Sequence, residues 1–167
     1  MISPAKIKVV AERYYDENID FRSFLKEHAD YDEIDAQFLE LHNKLFKGYD
    51  CSKCSNCCKA YAVIFNESDI KTVSKYLGLT KDNFIAEYLE EADFEENEYK
   101  VSVQPCTFLA EDGKCKINDC KPYSCKGFPF TDQPERMLSM LSIISFAEEC
   151  PVVFEILERL KKIYDFK

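Results

Sequence analysis

Apolar residues recur with helical spacing before residue 50. Ile34, Phe38, Leu41 and Leu45 follow one another at four, three and four positions, one face of a helix, and Gly48 supplies a stop. Phe21, Phe24 and Leu25 predict a shorter helix before it. The pattern changes after residue 58. Ala60-Tyr-Ala-Val-Ile-Phe65 is a β-prone run of strand length, and Tyr99-Lys-Val-Ser-Val103 alternates as a second strand. Between them the spacing predicts two helices. One opens at Asn66 or Ser68 and ends at Gly78; the other is capped by Thr80 and runs from Lys81 to Glu91 with Phe84, Ile85, Tyr88 and Leu89 inward. Residues 105–133 hold turn signals, prolines and cysteines, so little regular structure is expected there. Pro134 suits the first turn of a helix running to about Glu149, Cys150-Pro151 interrupts it, and a last amphipathic helix spans Val152 to Tyr164. This order predicts a helix-rich α+β fold whose irregular, cysteine-dense centre is organised by metal and flanked by helices and a few short strands. The expected organisation is an N-terminal helical segment over 1–48, a cysteine-cluster metal-binding domain over 49–151, and a C-terminal helix over 152–167 packed on the same domain.

Length and composition narrow the possibilities. A chain of 167 residues buries roughly 70% of its unfolded surface and needs no staples to form a core. Hydrophobic residues at 46% and charged residues at 32% describe a globular chain. No apolar run nears the roughly 20 residues needed to span a bilayer. The opening Met1 to Glu17 does not read as a signal peptide, so a cytoplasmic protein is expected. The net charge of −9 and the lack of a basic cluster argue against nucleic acid or an anionic membrane as partner. Lys161-Lys162 reads as a solvated helix face, and Glu90 to Glu96 as an exposed helix end and loop.

The nine cysteines are the outlier. In a reducing compartment such density points to metal or redox chemistry rather than disulfides. Cys51, Cys54, Cys57 and Cys58 form a C-x-x-C-x-x-C-C run. Three thiolates at this spacing can grip one centre from a short arc, the arrangement with which bacterial ferredoxins hold a [4Fe–4S] cluster. Cys57 and Cys58 are adjacent, so their side chains diverge in any regular backbone and are expected to serve different metal atoms. Cys106, Cys115, Cys120 and Cys125 follow at gaps of eight, four and four residues. These gaps lack the paired knuckles of a zinc ribbon but are compatible with a looser Cys₄ zinc site. Gly113 and Gly127 permit close backbone approach, and Pro122 and Pro129 stiffen the loops.

Other candidates read more plainly. His28 and His42 are expected at the surface or as caps, Asp69 as an acid at a helix start, and Tyr123, Phe128 and Phe130 as packing around Cys125. No glycine-rich strand–turn–helix motif is present for a dinucleotide, and the C-x₃-C-x₂-C arrangement of radical enzymes is missing.

These motifs together resemble the bacterial and archaeal cysteine-cluster family with the C-x-x-C-x-x-C-C signature. It is often called YkgJ-type and described as a zinc- or iron-chelating domain. The resemblance runs from about Tyr49 to Pro151. It includes Cys106-Thr-Phe108-Leu109, Gly113-Lys-Cys115-Lys-Ile117, Pro122-Tyr-Ser-Cys125-Lys-Gly-Phe128-Pro129 and Cys150-Pro151. It implies eight metal ligands: Cys51, Cys54, Cys57, Cys58, Cys106, Cys115, Cys125 and Cys150. Cys120 falls where the family varies and is the odd one out. Ile117-Asn118 and Lys121-Pro122 depart from the family's usual Ile-Tyr and Arg-Pro. The implied cofactor is an iron–sulfur cluster, [4Fe–4S] in type, or zinc. Eight thiolates match two Cys₄ sites, so more than one metal atom per chain is expected. The family includes flagellin lysine N-methylases, which implies a protein substrate or a redox partner. Those enzymes carry much additional chain, so methylase activity is the less favoured reading.

Overall fold

The computed structural model describes residues 1–92 and 98–167. In chain order the helices are α1 (Ile7–Arg13), α2 (Tyr15–His28), α3 (Tyr31–Phe46), α4 (Asn56–Ala60), α5 (Glu67–Leu77), α6 (Lys81–Tyr88), α7 (Tyr123–Lys126), α8 (Met140–Phe146) and α9 (Pro151–Ile163). The strands are β1 (Ile64–Phe65), β2 (Leu89–Glu91) and β3 (Tyr99–Val101), so the fold is helix-rich α+β. Two compact units are present: Met1–Asp50 with Pro129–Lys167, and Cys51–Phe128.

The first unit is helical. Phe21 and Leu25 of α2, Ile34 and Phe38 of α3, and Ile156, Leu157 and Leu160 of α9 are buried, as their spacing predicts, together with Ile143 and Ile144 of α8. Asp30 caps α3 by accepting from the Asp32 and Glu33 amides at 3.0 Å. Pro151 stands at the first turn of α9, where its missing N–H costs nothing.

Three expectations fail in this unit. The helix predicted from Pro134 begins only at Met140. Glu135 sits at φ +63°, which no helix accepts, and the Asp35 carboxylate holds the Glu135 and Arg136 amides in that turn. The buried Arg136 guanidinium donates back to the Phe130 and Pro134 carbonyls. Lys161 is not on a solvated face: it is 4% exposed, pairs with Glu17 and Glu158, and lies 5.0 Å from the centre of the Tyr14 ring. His42 is half-buried; its Nδ1 lies 2.9 Å from Thr131 Oγ1 and its ring packs at a tilt against Phe46.

The second unit is built on a small antiparallel sheet of order β1-β3-β2, with Phe65 opposite Tyr99 and Leu89 opposite Val101. Glu90 and Lys100 face each other across two strands and pair at 3.4 Å. Pairing with β3 is why α6 stops at Tyr88 instead of reaching Glu91. Only Ile64 and Phe65 of the predicted first strand pair, because Ala60 closes α4. The remainder of the acidic run, residues 93–96, lies outside the described residues. α5 opens with a capping box between Asn66 and Asp69 and closes on Gly78 at φ +72°. Thr80 caps α6 as expected. The core gathers Phe65, Ile70, Val73, Phe84, Val101, Phe108 and Ile117.

Candidate metal centre

Four chain segments bring their cysteines into the second unit, and each is pinned by a core residue or hydrogen bond near its thiol. Phe108, two residues after Cys106, packs on Phe84 and Tyr88 with ring centres 6.3 Å and 5.4 Å away. Ile117, two residues after Cys115, is buried in the same core. Between them a tight reversal runs through Gly113. The Ala110 amide donates to the Lys114 carbonyl at 2.8 Å, and Leu109 pairs with Cys115. Cys125 rides on α7. The Ser124 hydroxyl ties α7 to Ile64 at 2.8 Å, and the Tyr123 amide reaches the Asp69 carboxylate at 3.3 Å. Cys57 and Cys58 lie on α4, whose Cys58 carbonyl accepts from the Cys106 amide at 2.9 Å.

The Cys51-x-x-Cys54 turn is seated on the Gly113 reversal. Cys54 and Ser55 amides both donate to the Cys51 carbonyl, at 3.1 Å and 2.9 Å. Ser55 takes the left-handed conformation at φ +56°, and its buried hydroxyl lies 2.9 Å from the Gly113 carbonyl. The Ser52 carbonyl oxygen lies 2.1 Å from where a Cβ on Gly113 would stand, so only glycine fits there.

Cys106 lies in the core of this unit and Cys58, Cys115 and Cys125 pack against it, so their ionisations are linked. Burial pushes Cys125 up to about 12, and negative charge on Cys58, Cys106 and Cys115 adds to the effect. Burial also raises Cys106, with Cys58 and Cys115 contributing, and burial raises Cys115, with Cys58 contributing. Cys58 moves the other way, to about 6: the Cys57 thiol hydrogen-bonds it, and Lys121 and Lys59 favour its charge against the cost of burial. Cys58, Cys106, Cys115 and Cys125 thus sense one another's charge. Cys120 senses Cys115 alone of the cysteines and lies in the apolar core.

No described cysteine forms a disulfide. Among the described residues no three Cys, His, Asp or Glu side chains stand as a closed metal-binding set. The donor chemistry fits a soft metal: Cys106 lies in the small core with Cys58, Cys115 and Cys125 packed against it, and zinc or iron–sulfur iron is the matching class for sulfur ligands. Cys51 is exposed and Cys54 half-buried, on the turn beside Gly113. Cys150 lies in the helical unit, immediately before α9, and is buried. Tyr123 is 60% exposed and so does not pack around Cys125, whereas Phe128 packs at a tilt against Tyr61 with ring centres 5.6 Å apart. Phe130 lies in the helical unit. The sequence reading did not single out Ser55, or Lys121 as a charge partner, because neither lies in a ligand pattern.

Residues 50–151 match the CxxCxxCC family, described as a "putative zinc- or iron-chelating domain". The chain belongs to this family. The CxxCxxCC match begins just before Cys51 and ends just after Cys150, so it takes in all nine cysteines. No curated protein and no solved structure matches the chain. Among the described residues no helix is long and apolar enough to cross a membrane.

Proposed function

We propose that this CxxCxxCC domain holds iron–sulfur clusters of the [4Fe–4S] type through its cysteines and serves in electron transfer or a redox-dependent protein modification. The observation that carries this reading is the packing of Cys58, Cys106, Cys115 and Cys125, drawn from four segments, on one small core, where charge on one disfavours charge on the others. They are assigned as one tetrathiolate set. Cys51, Cys54 and Cys57 are assigned to the second, and Cys150 stays the candidate eighth ligand that the family resemblance implies. The division gives Cys57 and Cys58, whose thiols are hydrogen-bonded to each other on α4 rather than diverging as expected, to two neighbouring metal atoms. A bound cluster supplies one-electron chemistry at a potential set by its surroundings. The chain's own part is to pack Cys58, Cys106, Cys115 and Cys125 on the apolar core of Phe108 and Ile117, and to place Lys121 and Lys59 where they favour thiolate on Cys58.

The test is metal and sulfide analysis of anaerobically purified protein. A brown protein with iron and acid-labile sulfide supports the reading. A colourless protein with stoichiometric zinc replaces it with two structural Cys₄ zinc sites. Metal content of Cys150→Ser decides the eighth ligand, since an unchanged stoichiometry removes it.

A further inference from the structure

The cysteine segments differ in charge from the chain that carries them. The protein is −9 overall, yet residues 51–61 hold Lys53 and Lys59 and no acid. Residues 105–128 hold Lys114, Lys116, Lys121 and Lys126 against Glu111, Asp112 and Asp119. An open cleft of about 690 Å³ gathers part of this charge around two thiols, with Cys54, Cys106, Lys53, Lys59 and Thr107 in its lining. Lys116 Nζ donates to the Thr107 carbonyl at 3.1 Å, which brings a third ammonium to the same wall. Lys53, Lys59 and Lys116 are all exposed. Glu111 and Asp112 form the other edge, where Asp112 is paired with Lys114 at 3.0 Å.

We propose that this lysine-rimmed cleft is the docking site of a small acidic electron carrier, which it holds against the Cys54–Cys106 edge of the metal centre. The class of partner rests on the iron–sulfur reading above; the docking surface rests on charge and shape. An acidic partner gains from Lys53, Lys59 and Lys116 in two ways. The cationic rim steers its approach, and the net negative charge elsewhere on the chain repels it from other orientations. Such an encounter is small in area and salt-sensitive, as suits a carrier that must leave again.

The test is titration of the metal-loaded protein with an acidic [2Fe–2S] ferredoxin, following binding by calorimetry at low and high ionic strength. Binding is expected to weaken steeply with salt. The double reversal Lys53→Glu with Lys59→Glu is expected to weaken it at least about tenfold. The control reversals Lys71→Glu and Lys75→Glu on α5 should leave it within about twofold. Metal content and thermal stability of each variant are measured alongside, and Lys116→Glu provides a second route if the double variant loses metal. Binding indifferent to salt and to the rim lysines, or lowered equally by the α5 controls, overturns the proposal. Zinc in place of iron with lysine-dependent binding intact overturns the iron–sulfur reading and keeps the surface. Iron with lysine-independent binding does the reverse.

Discussion

Gly113 and Gly78 both take the left-handed conformation, at φ +82° and +72°, but their surroundings differ. Nothing lies within 4 Å of a Cβ on Gly78, whereas one on Gly113 would meet the Ser52 carbonyl at 2.1 Å. Gly78→Ala should cost about 1 kcal/mol, the usual penalty of that conformation. Gly113→Ala must also push the Cys51–Cys54 turn off its seat, so it should cost more and lower metal stoichiometry as well. Urea unfolding with metal analysis separates the two. The cysteines offer a second pair. Cys125→Ala should lose metal, while Cys120→Ala should keep it at a cost of about 1 kcal/mol of packing; equal metal loss in both would reject the assignment. His42 carries a pH signature. Burial lowers its pKa against the pull of Asp132, so the folded state disfavours the imidazolium. Its stabilising effect is therefore full above the unfolded value near 6.5 and fades as pH falls from there through the lowered folded value. Wild type should lose thermal stability faster than His42→Gln between about pH 7 and pH 5, and parallel curves would refute this.

Elements begin and end here where a side chain satisfies the backbone. Asn66 and Asp69 start α5 by a reciprocal pair of hydrogen bonds, and Asp69 also takes the Tyr123 amide that begins α7. One carboxylate therefore couples a helix start to the segment that presents Cys125. The late start of α8 has the same origin. Asp35 captures the Glu135 and Arg136 amides, and this costs the chain the helical turns that Pro134 would otherwise have opened. Asp35→Ala removes a charged acceptor of two amides and should destabilise the helical unit by about 2 kcal/mol, measured by urea unfolding. An unchanged midpoint would show that Arg136 holds the turn alone.

Across the whole chain the two units draw on different sources of stability. The helical unit buries long apolar faces from α2, α3, α8 and α9. The cysteine unit has short strands and, between Pro105 and Phe128, only the four-residue α7 and a single turn around Asn118–Cys120. Metal bridging would close its long loops and draw folding free energy from ligation. Chelation should therefore strip hydrogen-exchange protection from β1, β3 and α7 while α2, α3 and α9 stay protected. Equal protection of the cysteine unit with and without metal would show that its core suffices.

The sequence by itself determined the elements whose signals are local. Ile34, Phe38 and Leu41 mark the buried face of α3, Asn66, Thr80 and Gly78 mark helix ends, and the cysteine spacing marks the chemistry, because each depends on neighbours within a turn or two of chain. Only the tertiary structure decided features set by partners far away. Leu89–Glu91 became a strand because β3 offered a partner, and Lys161 became buried because Glu17 stood opposite it. The association of Cys58 with Cys106, Cys115 and Cys125 belongs to the same class. Phe108, Ile117 and Ser124 anchor three separated segments to one small core. Spacing along a chain records which thiols are near in sequence, whereas the packing of those anchors sets which thiols feel one another's charge.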